Sequence, residues 1–538
     1  MINPHDVVVD RSAVPARISF APTFNLSVAL LDRHLAAGRG GKVAVKSEAS
    51  EMTYAALADG TFRMAAALRG LGVKAGDRVI IAVSDTPAFY FAFLATARLG
   101  AIAVPVSTYM KQSAYAYMLA DSQAKVVVAS PVCLAELAPA LQGDGVAVEH
   151  RITTGDAPAG WLRLPDLLHA HMPLLEPEPT TPQTECFWLY SSGSTGDPKA
   201  AVHQHKDMIY TAIHFAEGVL GINETDLIYS VGKLFFAFGI NNSLGFVLWT
   251  GATALLMEER VTPENSLAFI SRMRPTIYFS VSTLMVQQVA AIENGFAADL
   301  SSARVSLGGG EVVPPSLFDN WKRVTGGDLL EAIGSSEALH IYISNQIGHV
   351  KRGSLGRAVP GYDVIVADSD GKPLPPGELG EIVIRGDSVA TYYWNKPEKT
   401  AQCMRDGWFY TGDTAYQDEE GYFYFSGRKD DMLRVGSRWV SPSEVEAALT
   451  THPSVLEAAV IGASDQDHLI KPKAFVVLRE QHTASPALQE DILAHVRTQL
   501  ASFKCPKWVA FMPDLPKTAT GKIQRFRLRS DEKNSSAS

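Results

Sequence analysis

The run ECFWLYSSGSTGDPKAAVH, residues 185–203, changes character at its middle. Its first six residues are short and apolar and read as a buried strand. Ser191, Ser192, Gly193, Ser194, Thr195 and Gly196 follow, a polar, glycine-broken stretch that cannot continue a helix or a central strand. It is therefore a loop at a strand end, a usual place for a ligand. Glycines let backbone N–H groups face an anion, the hydroxyls donate, and Lys199 adds charge, so the loop suits a phosphate. It is not the G-x-x-x-x-G-K-[ST] loop: Gly193 and Gly196 are too close, and Ala200 follows Lys199. By itself it also reads as a Ser/Gly surface loop.

Around this run, helix-period apolar segments alternate with short β-branched ones. AFYFAFLATARLGAI (88–102) reads as a buried helix, and AKVVVAS (124–130), TALLM (253–257) and PTIYFSVS (275–282) read as strands. Such alternation predicts layered α/β structure with mostly parallel sheets. Residues 143–183, rich in Gly, Pro and Thr, read as a surface connection. From about 360 on, DVIVADSDGKPLPPGELGEIVIRG places two strands around turn signals and predicts a small β-rich lobe. After the strand GYFYFSG and the charged run GRKDDMLRVG, SPSEVEAAL starts a helix with Ser441 as N-cap, Pro442 at N1 and Glu444 completing a capping box. LEAAVIG and KAFVVL then read as strands, ALQEDILAHVRTQLASF as a helix, and the tail SDEKNSSAS as disordered.

Composition narrows the class. The 538 residues are 46% hydrophobic and 20% charged, as in a globular protein of several packing units. A net charge of −9 argues against nucleic acid as a partner. No apolar run is long enough to predict a membrane span, and the N-terminus lacks the pattern of a signal peptide. Cys133, Cys186, Cys403 and Cys505 show no metal-binding spacing. The expected compartment is the cytoplasm.

The loop keeps informative company: GSSE (334–337), YTGD (410–413), GRKDD (427–431) and PKTATGKIQR (516–525). In this order and spacing, over nearly the whole chain, they resemble the motif series of the adenylate-forming enzymes, which include acyl-CoA synthetases, carrier-protein adenylation domains and luciferases. GKLFFAFGINNSLGFVLWTGAT (232–253) and IGSSEALHIYISN (333–345) are most similar to the benzoate–CoA ligase branch. The resemblance implies a large N-terminal domain (1–429) of layered α/β subdomains plus the β-rich lobe, holding the ATP and aromatic acid site. It also implies a small mobile α+β lid domain (430–538). The implied reaction is ATP-dependent: a carboxylate attacks the α-phosphate, pyrophosphate leaves, and a thiolate then displaces AMP from the acyl adenylate. ATP, Mg2+ and coenzyme A are the implied cofactors and co-substrates, an aromatic carboxylate the partner, and a homodimer stays open.

Site residues carry over position by position. Residues Ser191 to Lys199, with Thr195 among them, would wrap the β- and γ-phosphates, and Glu337 would bind magnesium. Gly309, Gly310, Glu311, Ala332, Ile333, Gly334 and Ser336 would lie about the nucleotide. Asp413 would accept from the ribose hydroxyls, beside Arg428. Lys522 would hold the carboxylate and α-phosphate during adenylation, so that Lys522, Thr195 and Glu337 make the catalytic set. Asp430 matches the hinge. The ring would rest against Ala237, Phe238, Gly239, Ile240, His340 and Ile341, with Phe235 and Phe236 in the core. Phe238 stands where relatives often carry Tyr. Arg434 and Ser437 stand on the CoA side at places often Lys and Gly. The serine leaves open an adenylation enzyme that loads a carrier-protein phosphopantetheine. A nucleotide-binding regulator without catalysis is the third reading.

Overall fold

The computed structural model describes residues 2–191, 197–310, 313–435, 438–466, 469–517 and 523–536. The chain clusters into two compact units, Met1–Gly193, Asp197–Val364 and Ile384–Phe409 in the first, and Ile365–Val383 and Tyr410–Ser538 in the second.

Two large sheets dominate the first unit, beside the small hairpin Val7–Asp10/Arg17–Phe20. One runs in the order Lys199–Gln204, Glu185–Ser191, Ile102–Pro105, Arg78–Ala82, Val126–Ala129, His150–Thr153, Leu162–Arg163. All its neighbours are parallel except the first pair, a hairpin. Its inner strands, such as VVVA at 126–129, are buried at every position. That is why they read as continuous apolar runs. The second sheet runs Arg357–Ala358, Ile341–Ser344, Leu329–Gly334, Val305–Gly309, Ile277–Ser280, Leu227–Ser230, Thr253–Leu255, Val43–Lys46, Glu51–Thr53, with its five inner pairings parallel.

The structure departs from expectation in two places here. The helix expected over 88–102 is Pro87–Arg98; Gly100 turns the chain at φ +62°, and Ile102–Pro105 is a strand. An unbroken apolar run hides that junction, because both elements are buried. Residues 143–183 are not only a connection, since they supply the sheet's two last strands and the helix Leu164–Ala170. These edge strands are too short and polar to show a period.

The expected lobe is a sheet in the order Asp363–Ala367, Gly380–Arg385, Trp408–Gln417, Met404–Arg405, with Phe423–Arg428 paired antiparallel to Trp408–Gln417. Further along, Val455–Ser464, Ile470–Leu478 and Trp508–Phe511 form a three-stranded sheet. The helices Pro442–Thr450 and Pro486–Arg497 close its core around Val445, Leu449, Val460, Val476 and Ile492. Ser441 caps the first helix by accepting from the Glu444 N–H at 3.3 Å. Only that half of the expected capping box forms, since the Glu444 carboxylate instead takes Lys504 at 2.6 Å. Of the tail expected to be disordered, residues 530–536 continue the helix Arg525–Ser536, while 537 and 538 lie outside the described residues. Leu528 is buried, Arg529 pairs with Asp431 at 2.7 Å, and Glu532 with Lys473 at 2.5 Å. Polar composition conceals these three anchors. Among the described residues no helix is long and apolar enough to cross a membrane.

Candidate active site

In the first unit, Val305–Gly309 and Leu329–Gly334 are parallel neighbours, with Gly309 opposite Ala332. Their C-terminal ends therefore open on one edge, the side on which open α/β sheets hold ligands. Gly309, Gly310, Ala332, Ile333 and Gly334 all lie there, and the chain turns through Ser336 to Glu337. In the other sheet, Ser191 and Lys199 are register partners at the loop end of a hairpin. Ser192, Gly193, Ser194, Thr195, Gly196, Glu311, Ser437 and Lys522 lie outside the described residues.

A charged group joins the two sheets' edges. The Lys199 ammonium stands 3.0 Å from Glu337 Oε1 and donates to the Tyr393 hydroxyl at 2.7 Å. Tyr393 in turn donates to the same Oε1 at 2.7 Å, and Ser191 Oγ reaches it at 3.3 Å. Burial alone would raise the Glu337 carboxyl, but the charge of Lys199 and these hydrogen bonds outweigh it and hold the group down at about 2. Glu337 is thus an anion in a water-poor place, where a nearby cation is felt strongly. Tyr393 is a site residue that the motifs do not mark. It arrives because residues 391–394 add to the edge of Lys199–Gln204, through Thr391 N–H to Val202 O and Trp394 N–H to Ala200 O, both 3.0 Å.

The turn from Gly334 to His340 is tight and strained. A β-carbon on Gly334 would stand 2.5 Å from the His340 carbonyl oxygen, so only glycine fits. Leu339 has φ +69°, a left-handed conformation that costs a residue with a side chain about 1–2 kcal/mol. Its carbonyl accepts from Asn241 Nδ2 at 3.1 Å, while the Ser336 carbonyl accepts from the Leu339 N–H at 3.2 Å and faces His203 Nε2 at 2.8 Å.

On its far side this turn delivers His340 into aromatic surroundings. The imidazole lies parallel to Phe238, with ring centres 5.6 Å apart, and meets the edge of Phe246 at 4.7 Å. Its Nε2 faces Asn242 Oδ1 at 3.0 Å, and because the Asn242 amide nitrogen donates to Ser230 Oγ, Nε2 carries the hydrogen. Nδ1 is then an acceptor, buried and with no partner among the described residues. Burial lowers the group to about 3, so it is neutral at ordinary pH. Ala237 and Phe238 are half-buried, while Gly239, Ile240 and Ile341 are buried. Phe235 is buried and Phe236 half-buried. Gly239 is obligatory, as a β-carbon there would stand 2.0 Å from the Lys233 carbonyl. Lys233 anchors this loop from below: its ammonium donates to the carbonyls of Met257 and Glu259 (2.9 Å) and lies 3.5 Å from Asp85, which accepts the Leu234 N–H.

In the second unit, Asp413 and Arg428 are cross-strand partners, with Arg428 Nη1 donating to Asp413 Oδ1 at 2.9 Å. Asp413 is buried, yet it sits on a strand kinked by Gly412 and not in a turn. Asp430 is exposed in the turn after Arg428, and Arg434 is exposed on Leu433–Val435.

Residues 32–394 match the AMP-binding enzyme family, and residues 444–522 match the AMP-binding enzyme C-terminal domain. The chain is 44% identical to a benzoate–CoA ligase of Thauera aromatica over 97% of its length and 99% of that relative's. Among solved structures it is similar to an anthranilate–CoA ligase in complex with anthranoyl-AMP, with a TM-score of 0.92, 38% identity, and 96% of this chain and 99% of that one covered. It is likewise similar to a benzoate–CoA ligase from Burkholderia xenovorans, with a TM-score of 0.87, 37% identity, and 94% and 100% covered. The chain belongs to the AMP-binding enzyme family.

Proposed function

We propose that this AMP-binding family enzyme is an ATP-dependent aromatic carboxylic acid–CoA ligase acting on benzoate or an amino- or hydroxybenzoate. The observation that carries the reading is the turn Gly334–His340. It presents an ionised carboxylate, Glu337, beside Lys199 on one side, and a neutral imidazole among phenylalanines on the other. Phosphate chemistry needs the first and a flat ring the second. The whole-length similarity to benzoate– and anthranilate–CoA ligases supports the same assignment.

In the first step the acid's carboxylate attacks the α-phosphate of ATP and pyrophosphate leaves. In the second, the thiolate of CoA attacks the acyl carbon and AMP leaves. Lys199 exchanges Glu337 for the phosphates that the 191–196 loop receives. Among the described residues no group of three or more His, Cys, Asp or Glu gathers as a resident metal site. One buried carboxylate beside a phosphate loop fits Mg2+, which takes one or two protein oxygens and completes its shell with phosphate and water. Glu337 would hold it there; bound, it neutralises charge on the phosphate oxygens. Asp413 is assigned to the ribose hydroxyls with Arg428 beside it, and Lys522 to the adenylation step. Asp430 is assigned as hinge, at the start of a lid domain over 430–538, and Arg434 and Ser437 to CoA. His340 meets the ring. The cytoplasm suits four free cysteines.

Pyrophosphate release with ATP and Mg2+ tests this against benzoate, 2-aminobenzoate, the three hydroxybenzoates and octanoate, each with and without CoA. Sustained release with an aromatic acid only when CoA is present, together with its thioester, supports the ligase. Release that stops near one equivalent even with CoA points to a carrier-protein acceptor. Preference for octanoate overturns the ring assignment. Nucleotide binding without any release points to a regulator.

A further inference from the structure

His203 and Asp207 form a buried pair that the assigned chemistry does not use. Their exposures are 0% and 1%. His203 Nδ1 faces Asp207 Oδ2 at 3.0 Å, and that oxygen also accepts the Gln204 N–H at 2.9 Å. The imidazole stacks on Phe187, with ring centres 5.1 Å apart and planes 16° apart. Its other nitrogen, Nε2, lies 2.8 Å from the Ser336 carbonyl. A carbonyl and an ionised carboxylate both only accept, so the ring donates from both nitrogens, Nε2–H to Ser336 and Nδ1–H to Asp207, and Asp207 thereby sets the ring's orientation from the opposite end.

The location of that carbonyl gives the pair its meaning. Lys199 and His203 lie on one strand an even number of residues apart, so both project from the same face. They grip the adjoining residues Glu337 and Ser336. The Ser336 carbonyl also closes the turn to Leu339, whose left-handed backbone persists only where its surroundings over-determine it. Asn241 holds the Leu339 carbonyl, and His203 holds the turn's other end. Between these two clamps lies Glu337, and directly beyond them His340. One strained turn therefore sets both the charged and the ring-facing group.

We propose that His203, oriented by Asp207, is a positioning residue that keeps this turn in its strained form, so that the phosphate side and the ring side are aligned together. The inference rests on the ligase reading given above. Loss of the His203 bond lets Leu339 relax, and Glu337 and His340 move in concert. The predicted signature is a joint loss toward two substrates that touch different residues.

The test uses the full-length enzyme and the best acid of the panel, with steady-state pyrophosphate release as the readout. If the wild type activates no aromatic acid, the ligase reading fails and the variants are not needed to show it. With an active acid, His203→Phe keeps the stacked ring but removes the donor. It is expected to lower kcat/KM about tenfold for MgATP and about tenfold for the acid, the loss of one buried hydrogen bond. His203→Gln, whose amide can donate to Ser336, should recover most of both. Leu339→Gly, which removes the strain, should recover part of both in the His203→Phe background. A loss confined to one substrate, an unchanged kcat/KM despite lower thermal stability, or a Gln variant as poor as Phe would overturn the proposal. Should His203→Phe not fold, Asp207→Asn serves in its place: a weaker joint loss supports the role, and wild-type kinetics overturn it.

Discussion

Glu331 and Glu337 stand six residues apart on either side of one strand end, and their surroundings drive them in opposite directions. Glu331 lies inside Leu329–Gly334, 2% exposed; its Oε1 accepts the Val313 N–H at 3.0 Å, and its Oε2 has no partner among the described residues. Burial pushes that carboxyl up to about 8. Glu337 is 7% exposed and buried by the same measure, yet Lys199 and Tyr393 hold it at about 2. Burial by itself therefore says little about charge; what decides is whether a cation and hydroxyl donors were brought along. Two carboxyls with environments that push them apart are a mark of assigned roles. Here the neutral acid props the strand through Val313, while the anion faces Ser191 and Lys199 of the hairpin.

Glu337→Gln tests the contrast most severely. It removes the charge at nearly constant shape and leaves Lys199 without its counter-ion. Loss of one preorganised electrostatic group at a reacting centre costs roughly 100- to 1,000-fold, and acyl-adenylate formation should fall by that much in pyrophosphate release. If activity falls less than about tenfold, Glu337 only neutralises Lys199, and its difference from Glu331 has no catalytic meaning.

Stability against pH tests the other carboxyl. Glu337 has a folded pKa below its ordinary 4.5, so its contribution is fully present above 4.5 and is lost as pH falls toward 2. Glu331 has a raised folded pKa, so its contribution is present below 4.5 and drains away as pH rises toward 8. The slope is about 1.4 kcal/mol per pH unit for a single group. Glu331→Gln removes that drain. Relative to wild type, its stability in urea should be better at pH 8 than at pH 5 by on the order of 2–4 kcal/mol. Equal differences at the two pH values would mean that Glu331 is already ionised when folded.

Tyr393→Phe sharpens the picture at a smaller scale. It deletes one donor to Glu337 and one acceptor for Lys199, while Ser191 and the ion pair remain. Hydrogen bonds to charged groups contribute about 1.5–3 kcal/mol, so a loss of roughly 10- to 100-fold in adenylation is expected. A loss as deep as that of Glu337→Gln would make the tyrosine, and not the lysine, the main reason Glu337 stays ionised.

The motif series pointed to Lys199 and Glu337 and to Asp413 and Arg428, pairs that the structure brings to 3.0 and 2.9 Å. Short polar motifs at loop ends survive in the chain as readable strings, so these were legible. Tyr393 was not, because it belongs to the site only through edge pairing with a strand almost two hundred residues earlier. Glu331 in LLEAIG carries no local mark of its burial, since no local pattern says that both faces of this strand are covered. The alternation of apolar runs announced the parallel sheets, whereas the break at Gly100 and the edge strands within 143–183 were lost in composition. His203 and Asp207 carry a local signal, a histidine and an aspartate four residues apart at a strand end.

Phe238→Tyr should have the smallest effect, and the reason is geometric. A β-carbon on Gly309 would touch Cε2 and Cζ of Phe238 at 3.4 Å, so the ring's tip already abuts the strand end. A hydroxyl added at Cζ lands beside that backbone. It can bond there, which leaves the ring in place, or push the ring against His340, 5.6 Å away between centres. The first outcome changes the preference between benzoate and 4-hydroxybenzoate by about 1 kcal/mol, roughly fivefold in the ratio of kcat/KM. The second raises KM for every ring without changing their order. Either should leave kcat far above that of Glu337→Gln if, as proposed, uncharged surroundings shape which acid binds and the ionised carboxylate governs whether it reacts. A Phe238→Tyr variant as slow as Glu337→Gln would erase that division, and would mean that the aromatic loop itself holds the reacting groups in register.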